Sequence, residues 1–310
     1  MSHTDYGLHL DDEVQAYIAR ANQFSPANAA ELNIKEQRAA YNRLCAAFHA
    51  GRPDSVTTWD EHLGGVPCRR YESGAHDTTL IYYHGGGFVV GGLDSHDDVC
   101  AELCAHAAVR VISVDYALAP EVVFPGCYND ARAAFEAICA QYSGRILLGG
   151  DSAGGNLAAA VTHSARERVA GQILIYPALG GDVTKGSYID HAHAPQLTSE
   201  DMAFYTAMRH GHGPEPVGDP RSAPLQDTDF TGLPPTVIVT AECDPLASDG
   251  QAYRDAVTAA GGRAVWFNEA GLVHGCLRAR HMSKRAAVFF DRVVAGVSAL
   301  SENNWPYDKA

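Results

Sequence analysis

The sequence predicts an α/β fold, a mostly parallel sheet with helices on both faces. From residue 66 onward, short apolar runs alternate with longer helical patterns, the rhythm of parallel strands joined by crossover helices. The apolar runs barely alternate with polar residues, as in strands buried on both faces. Composition agrees: the 310 residues are 46% hydrophobic and 19% charged, a globular balance with material for a large core.

Taken in order, the strand candidates are "TTLIYYH", "VRVISVDY", "RILLGG", "GQILIYP", "PTVIVTA" and "RAVWFN", all rich in Val, Ile, Leu and Tyr. Helical patterns lie near 95–107, 127–142, 154–168, 248–260 and 283–298. Two regions fall outside this rhythm. Residues 1–50 hold two amphipathic helices, one presenting Val14, Tyr17, Ile18 and Ala21, the other Ile34, Tyr41, Cys45 and Phe48. Ser25 and Pro26 offer a cap and first position for the second of these. Residues 178–232 open with "LGGDVTKG", carry a helical pattern near 199–210 and are then punctuated by proline. Insertions at the strand ends of such a sheet are where binding loops sit. The expected organisation is an N-terminal helical segment over 1–50 and a main α/β domain over 51–310, with 178–232 as an insertion within it.

Charge and cysteine usage narrow the function. Lys and Arg number 23 against 37 Asp and Glu, a net charge of −14 that repels nucleic-acid backbones and anionic membranes. No apolar run approaches the ~18 residues of a membrane-spanning helix. The opening "MSHTDYGLHLDDEVQ" lacks the basic and apolar regions of a signal peptide. The eight cysteines include no Cys-x-x-Cys pair, so a cytoplasmic protein with reduced thiols is expected. His96, Cys100 and Cys104 are spaced i, i+4, i+8 on a helix, but buried cysteines on one face are the better reading, and no metal or cofactor is expected.

The chemistry concentrates in "RILLGGDSAGGNLAAAV", where an apolar strand runs into a helix through Gly150-Asp151-Ser152-Ala153-Gly154, a G-x-S-x-G match. A serine on so sharp a turn needs neighbours without Cβ, and the helix start favours negative charge developing beside it. A serine also needs a base, and the base an orienting acid. Asp244 follows the strand "PTVIVTA" and His274 follows "RAVWFN", so Ser152, Asp244 and His274 can converge at the carboxyl edge of one sheet. Asp249 is the rival acid, although its position at a helix start suits a surface cap. Asp151 reads as a hydrogen-bonding neighbour of the serine. Acyl transfer creates an oxyanion, and "HGGGFVVGG" behind the strand "TTLIYYH" supplies backbone amides: those of Gly85 and Gly86, with that of Ala153, are the candidate donors. Neither dinucleotide nor P-loop glycine spacing can be written through this loop.

Together these motifs resemble the bacterial hormone-sensitive-lipase-like esterases, a branch of the α/β-hydrolase superfamily. The likeness rests on "HGGGFVVGGLDSHD", "DYALAPE", "GDSAGGNLA", "DPL" and "HG" in that order, and it spans most of the chain. It implies an α/β-hydrolase fold with a helical cap, the triad Ser152, Asp244 and His274, and a homodimer paired through the last strand near "RAVWFN". Two positions depart from the family pattern. Ala117 stands where the family usually has arginine, and Cys276 stands where phenylalanine often follows the "HG" pair, which makes Cys276 a candidate for the substrate-pocket wall. The expected function is a cofactor-independent serine carboxylesterase acting on small soluble esters, acetyl to hexanoyl, with water as second substrate. An amidase, formamidase or lactonase with the same machinery is the alternative, and a silenced ligand-binding receptor is a further one.

Overall fold

The computed structural model describes residues 4–24 and 32–308. Three helices come first: α1 (Tyr6–His9), α2 (Asp12–Ala21) and α3 (Ile34–Phe48). Strands β1 (Thr57–Leu63), β2 (Val66–Glu72) and β3 (Thr78–Tyr83) follow, then α4 (Asp97–Ala107), β4 (Arg110–Val114), α5 (Gly126–Gln141), β5 (Arg145–Asp151), α6 (Ala153–Ser164) and β6 (Gly171–Ile175). The segment after β6 carries α7 (Ser187–Asp190) and α8 (Ser199–Arg209). The chain finishes with β7 (Thr236–Cys243), α9 (Ala247–Ala259), β8 (Ala264–Val273) and α10 (Lys284–Ser301).

The strands form one eight-stranded sheet in the order β1-β2-β4-β3-β5-β6-β7-β8. From β4 to β8 every pairing is parallel, whereas β1–β2 and β2–β4 are antiparallel. The hairpin of β1 and β2 is an addition to the strands expected from sequence. It turns on Gly64 and Gly65, with φ of +62° and +83°, the left-handed pair that a tight two-residue hairpin requires. Its strands are mixed in polarity because they lie at the sheet margin, so they lack the apolar run that marks the central strands.

Alternation along the central strands divides the core in two. Leu80 and Tyr82 point to the face covered by α2, α4 and α10, with Val14, Tyr17, Leu103, Phe289 and Val293. Ile81 and Tyr83 point to the face covered by α5, α6 and α9, with Phe135, Leu157, Tyr253 and Val257. Parallel strands covered by helices on both sides place their carboxyl ends, and the loops that follow them, along a single rim.

The amphipathic faces read for α2 and α3 are the ones that pack. Val14, Tyr17 and Ala21 are buried, and Tyr17 meets Phe48 edge-on at 5.3 Å. Ile34 and Tyr41 of α3 join Phe204 and Tyr205 of α8 around Val89, Val90 and Met208, so the N-terminal helices and the post-β6 segment meet above the sheet rim. The start of α3 differs from expectation. Ser25 and Pro26 lie outside the described residues, and the helix is capped by Asn33, which accepts from the Glu36 amide while Glu36 accepts from its own, each at 3.0 Å. Among the described residues no helix is long and apolar enough to cross a membrane.

Candidate active site

Ser152 sits between β5 and α6 with φ +55° and ψ −118°, a conformation that costs a residue with a Cβ on the order of 1–3 kcal/mol. The surroundings enforce it. The Ser152 amide donates to the Ile175 carbonyl at 2.9 Å, and its own carbonyl accepts from Asn156 at 3.1 Å. A Cβ on either Gly150 or Gly154 would collide with the Tyr83 carbonyl, so the G-x-S-x-G glycines permit the turn by letting strand and helix close up.

The hydroxyl faces a base. Ser152 Oγ lies 2.9 Å from His274 Nε2, and His274 Nδ1 lies 2.7 Å from Asp244 Oδ2. An ionised carboxylate only accepts, so Nδ1 carries the imidazole proton and Nε2 is left to accept from the serine. Asp244 is fully buried, and its other oxygen accepts from the Leu246 amide at 2.9 Å. Tyr176 packs against the imidazole, with ring centroids 4.6 Å apart. The three residues singled out from sequence are thus brought into one hydrogen-bonded chain.

Asp249 is not a surface cap. It is 1% exposed, and it accepts from the Leu179 amide at 2.7 Å and the Tyr188 hydroxyl at 2.9 Å, tying the post-β6 segment to α9. Burial raises its pKa to about 6, against the pull of those donors.

The glycine loop requires a second correction. The Gly85 amide donates to Asp151 Oδ1 at 2.8 Å, so it is already spent and cannot also serve an oxyanion. The same carboxylate accepts from Tyr82 Oη at 2.8 Å and faces His96 Nε2 at 3.2 Å. Burial alone would raise the Asp151 pKa, but His96 and the donors around it outweigh burial and hold it below the ordinary carboxylate range. His96, from the set with metal-like spacing, is therefore engaged beneath the loop, and among the described residues no cluster could hold a metal ion. Gly86 and Gly87 line the cavity beside Ser152, with φ of +130° and +60° that glycine tolerates best.

Two cavities meet at the serine. One lies under α2 and α3 and is walled by Tyr17, Tyr41 and Arg278. The other lies under α8 and is walled by Phe88, Met202 and Leu246. Both share Gly87, Leu197 and Tyr205, and Ala153 borders the second.

A family model described as "alpha/beta hydrolase fold" matches residues 80–278. The chain belongs to the α/β-hydrolase family. Among its relatives, carboxylic ester hydrolase LipN of Mycobacterium tuberculosis is 32% identical, over 94% of this hydrolase and 84% of LipN. Carboxylesterase NlhH of the same organism is 38% identical over 72% of this hydrolase and 75% of its own length. A hyperthermophilic esterase from the archaeon Pyrobaculum calidifontis superposes with a TM-score of 0.83 at 28% identity, covering 94% of this hydrolase and 99% of that chain. These relatives and the order of motifs put the hydrolase in the hormone-sensitive-lipase-like branch.

Cys276 does not wall either cavity. Gly275, at φ +72°, turns the chain into a short 3-10 stretch, Cys276–Ala279, and Cys276 faces the core at 1% exposure. The cavity-facing positions of this hydrolase that sequence reasoning missed include Gly87, Tyr41, Tyr176, Tyr205 and Arg278. Only Gly87 carried a signal, as the third glycine of the loop.

Proposed function

We propose that this carboxylic ester hydrolase cleaves short-chain esters through an acyl-enzyme formed on Ser152. The observation that carries the reading is the unbroken chain from Ser152 Oγ through His274 to Asp244 at the mouth of two cavities. Ser152 attacks the ester carbonyl as His274 takes its proton, and Asp244 keeps the imidazole in the tautomer that can do so. The amides of Gly86, Gly87 and Ala153 are the donors for the oxyanion, and the start of α6 adds its dipole. His274 then returns the proton to the leaving alcohol, and water repeats the sequence to free the acid.

The segments 1–50 and 178–232 act as a cap in this reading, since Tyr41 and Tyr205 reach the serine cavities from them. A pocket roofed by these segments suits acetyl to hexanoyl chains rather than long-chain triglycerides. Each buried methylene contributes up to ~0.8 kcal/mol until the wall is met, so specificity rises with acyl length and then falls. The unpaired edge of β8 supports a homodimer, and eight free thiols support a reducing, cytoplasmic setting. A kinetic series of p-nitrophenyl esters from acetate to palmitate, run beside the matching anilides, tests the proposal. A maximum at or below hexanoate with anilides far slower is expected. Efficient palmitate turnover contradicts the capped pocket, and faster anilides contradict the ester assignment.

A further inference from the structure

Two arginines lie buried close together in the turn after His274, and of the two only Arg280 is held in a direct ion pair among the described residues. Arg280, 5% exposed, is clamped by Asp98 at 2.5 Å and Glu102 at 2.8 Å. Arg278, 9% exposed, makes no ion pair among the described residues; its hydrogen bonds run from Nη2 to Tyr41 Oη at 2.6 Å and Cys45 Sγ at 3.1 Å. Neither partner supplies a countercharge, because burial pushes the Tyr41 hydroxyl and the Cys45 thiol above their usual values. Asp151, the carboxylate on the same cavity wall among the described residues, feels the Arg278 charge at a distance, but its oxygens are engaged by Tyr82, Gly85 and His96 rather than by the guanidinium. A guanidinium taken out of water is ordinarily paired with an acid or held by several carbonyls. Arg209 on the other cavity illustrates the second solution, with bonds to the Ser222 and Arg221 carbonyls and to Asn156 Oδ1.

The position of Arg278 explains why its guanidinium has no direct acidic partner. It lines the cavity that Ser152 and His274 also line. Tyr41 accepts from Arg278, which leaves the phenolic proton free to be donated. Tyr176 lines the same cavity with a buried hydroxyl that has no partner. A fork of guanidinium donors beside a tyrosine hydroxyl is the arrangement that recognises a carboxylate.

We propose that Arg278 and Tyr41 form a carboxylate subsite, so that the preferred substrates are esters carrying a free carboxylate on the half held in this cavity. Two sources share that chemistry: hemiesters of dicarboxylic acids, charged on the acyl side, and acyl esters of hydroxy acids, charged on the alcohol side. The proposal rests on the ester-hydrolase reading above and deepens it.

The test compares charged esters with neutral twins. Mono-p-nitrophenyl glutarate is paired with p-nitrophenyl valerate, and 4-acetoxybenzoate with 4-tolyl acetate. In the wild-type protein, one pair should favour the acid in kcat/KM, and which pair does so identifies the charged half. In Arg278→Met that ratio should fall about 10- to 100-fold, the range for losing a charge-assisted hydrogen bond, while Arg278→Lys retains part of it and Tyr41→Phe lowers it less. An unchanged ratio in Arg278→Met, or no preference for the acid in either pair, overturns the subsite. Should the variants fail to fold, calorimetry on the wild-type protein decides: glutarate should bind and glutaramide should not, and equal or absent binding overturns the proposal. Failure of the ester-hydrolase reading is separately visible, as loss of turnover on the neutral twins.

Discussion

The Gly85 amide donates to the Asp151 carboxylate at 2.8 Å, fastening the glycine loop behind β3 to the residue that precedes the candidate nucleophile. That bond, with those from Tyr82 and His96, ties the loop to the strand end before Ser152, where Gly86 and Gly87, the proposed oxyanion donors, line the cavity. Asp151→Asn keeps the shape but gives up part of this acceptor capacity. Its kcat should fall about 10- to 100-fold, in the range of one impaired oxyanion donor or somewhat less, with KM nearly unchanged. Steady-state kinetics on p-nitrophenyl butyrate would check it, and wild-type kcat would show that the loop needs no such anchor.

Asp244 and Asp249 separate cleanly by mutation. Asp244→Asn would favour the wrong imidazole tautomer, and by analogy with serine proteases should lower kcat about 10⁴-fold. Asp249→Asn should lose far less, because that carboxylate serves Leu179 and Tyr188 rather than His274. The reverse ranking would make Asp249 the orienting acid.

Asp249 also predicts a pH dependence of stability. Its folded pKa of about 6 lies above the unfolded value of ~3.9, so the folded state binds the extra proton. Its contribution to stability is fully present below the unfolded value and is lost as pH rises through 6. Relative to wild type, Asp249→Asn should therefore gain on the order of 2–3 kcal/mol in going from pH 4 to pH 7. Denaturant titrations of both proteins across that interval measure it, and parallel curves would contradict the assignment.

Cys276→Phe tests whether sequence adjacency to His274 means contact with substrate. Cys276 packs in the core, so the larger ring should destabilise by about 1–3 kcal/mol through overpacking. The preferred acyl length should stay where it is. A shorter optimum in a variant of unchanged melting temperature would return Cys276 to the cavity wall.

The parts legible in sequence were those decided by local pattern. Apolar strands such as "RILLGG" announce burial on both faces, and residues just past strand ends, such as Asp244 and His274, must share a rim. What escaped depends on distant contacts. The carboxylate that occupies the Gly85 amide comes from 66 residues away, and Asp249 is buried by amides of a segment 68 and 70 residues distant. The β1–β2 hairpin lacks an apolar run because it lies at the sheet margin, and its Gly64-Gly65 turn was the cue available. The sequence also could not reveal that Arg280 meets Asp98 and Glu102 while Arg278 meets neither.

The central claim is that His274 and Asp244 activate Ser152 for acyl transfer. Treating the protein with a fluorophosphonate and measuring intact and peptide masses tests it most directly. Wild type should gain a single adduct, on the peptide bearing Ser152, with ester turnover lost in proportion to labelling. Folded Ser152→Ala should remain unlabelled and inactive. Full labelling elsewhere, or near-wild-type turnover by Ser152→Ala, would contradict the account.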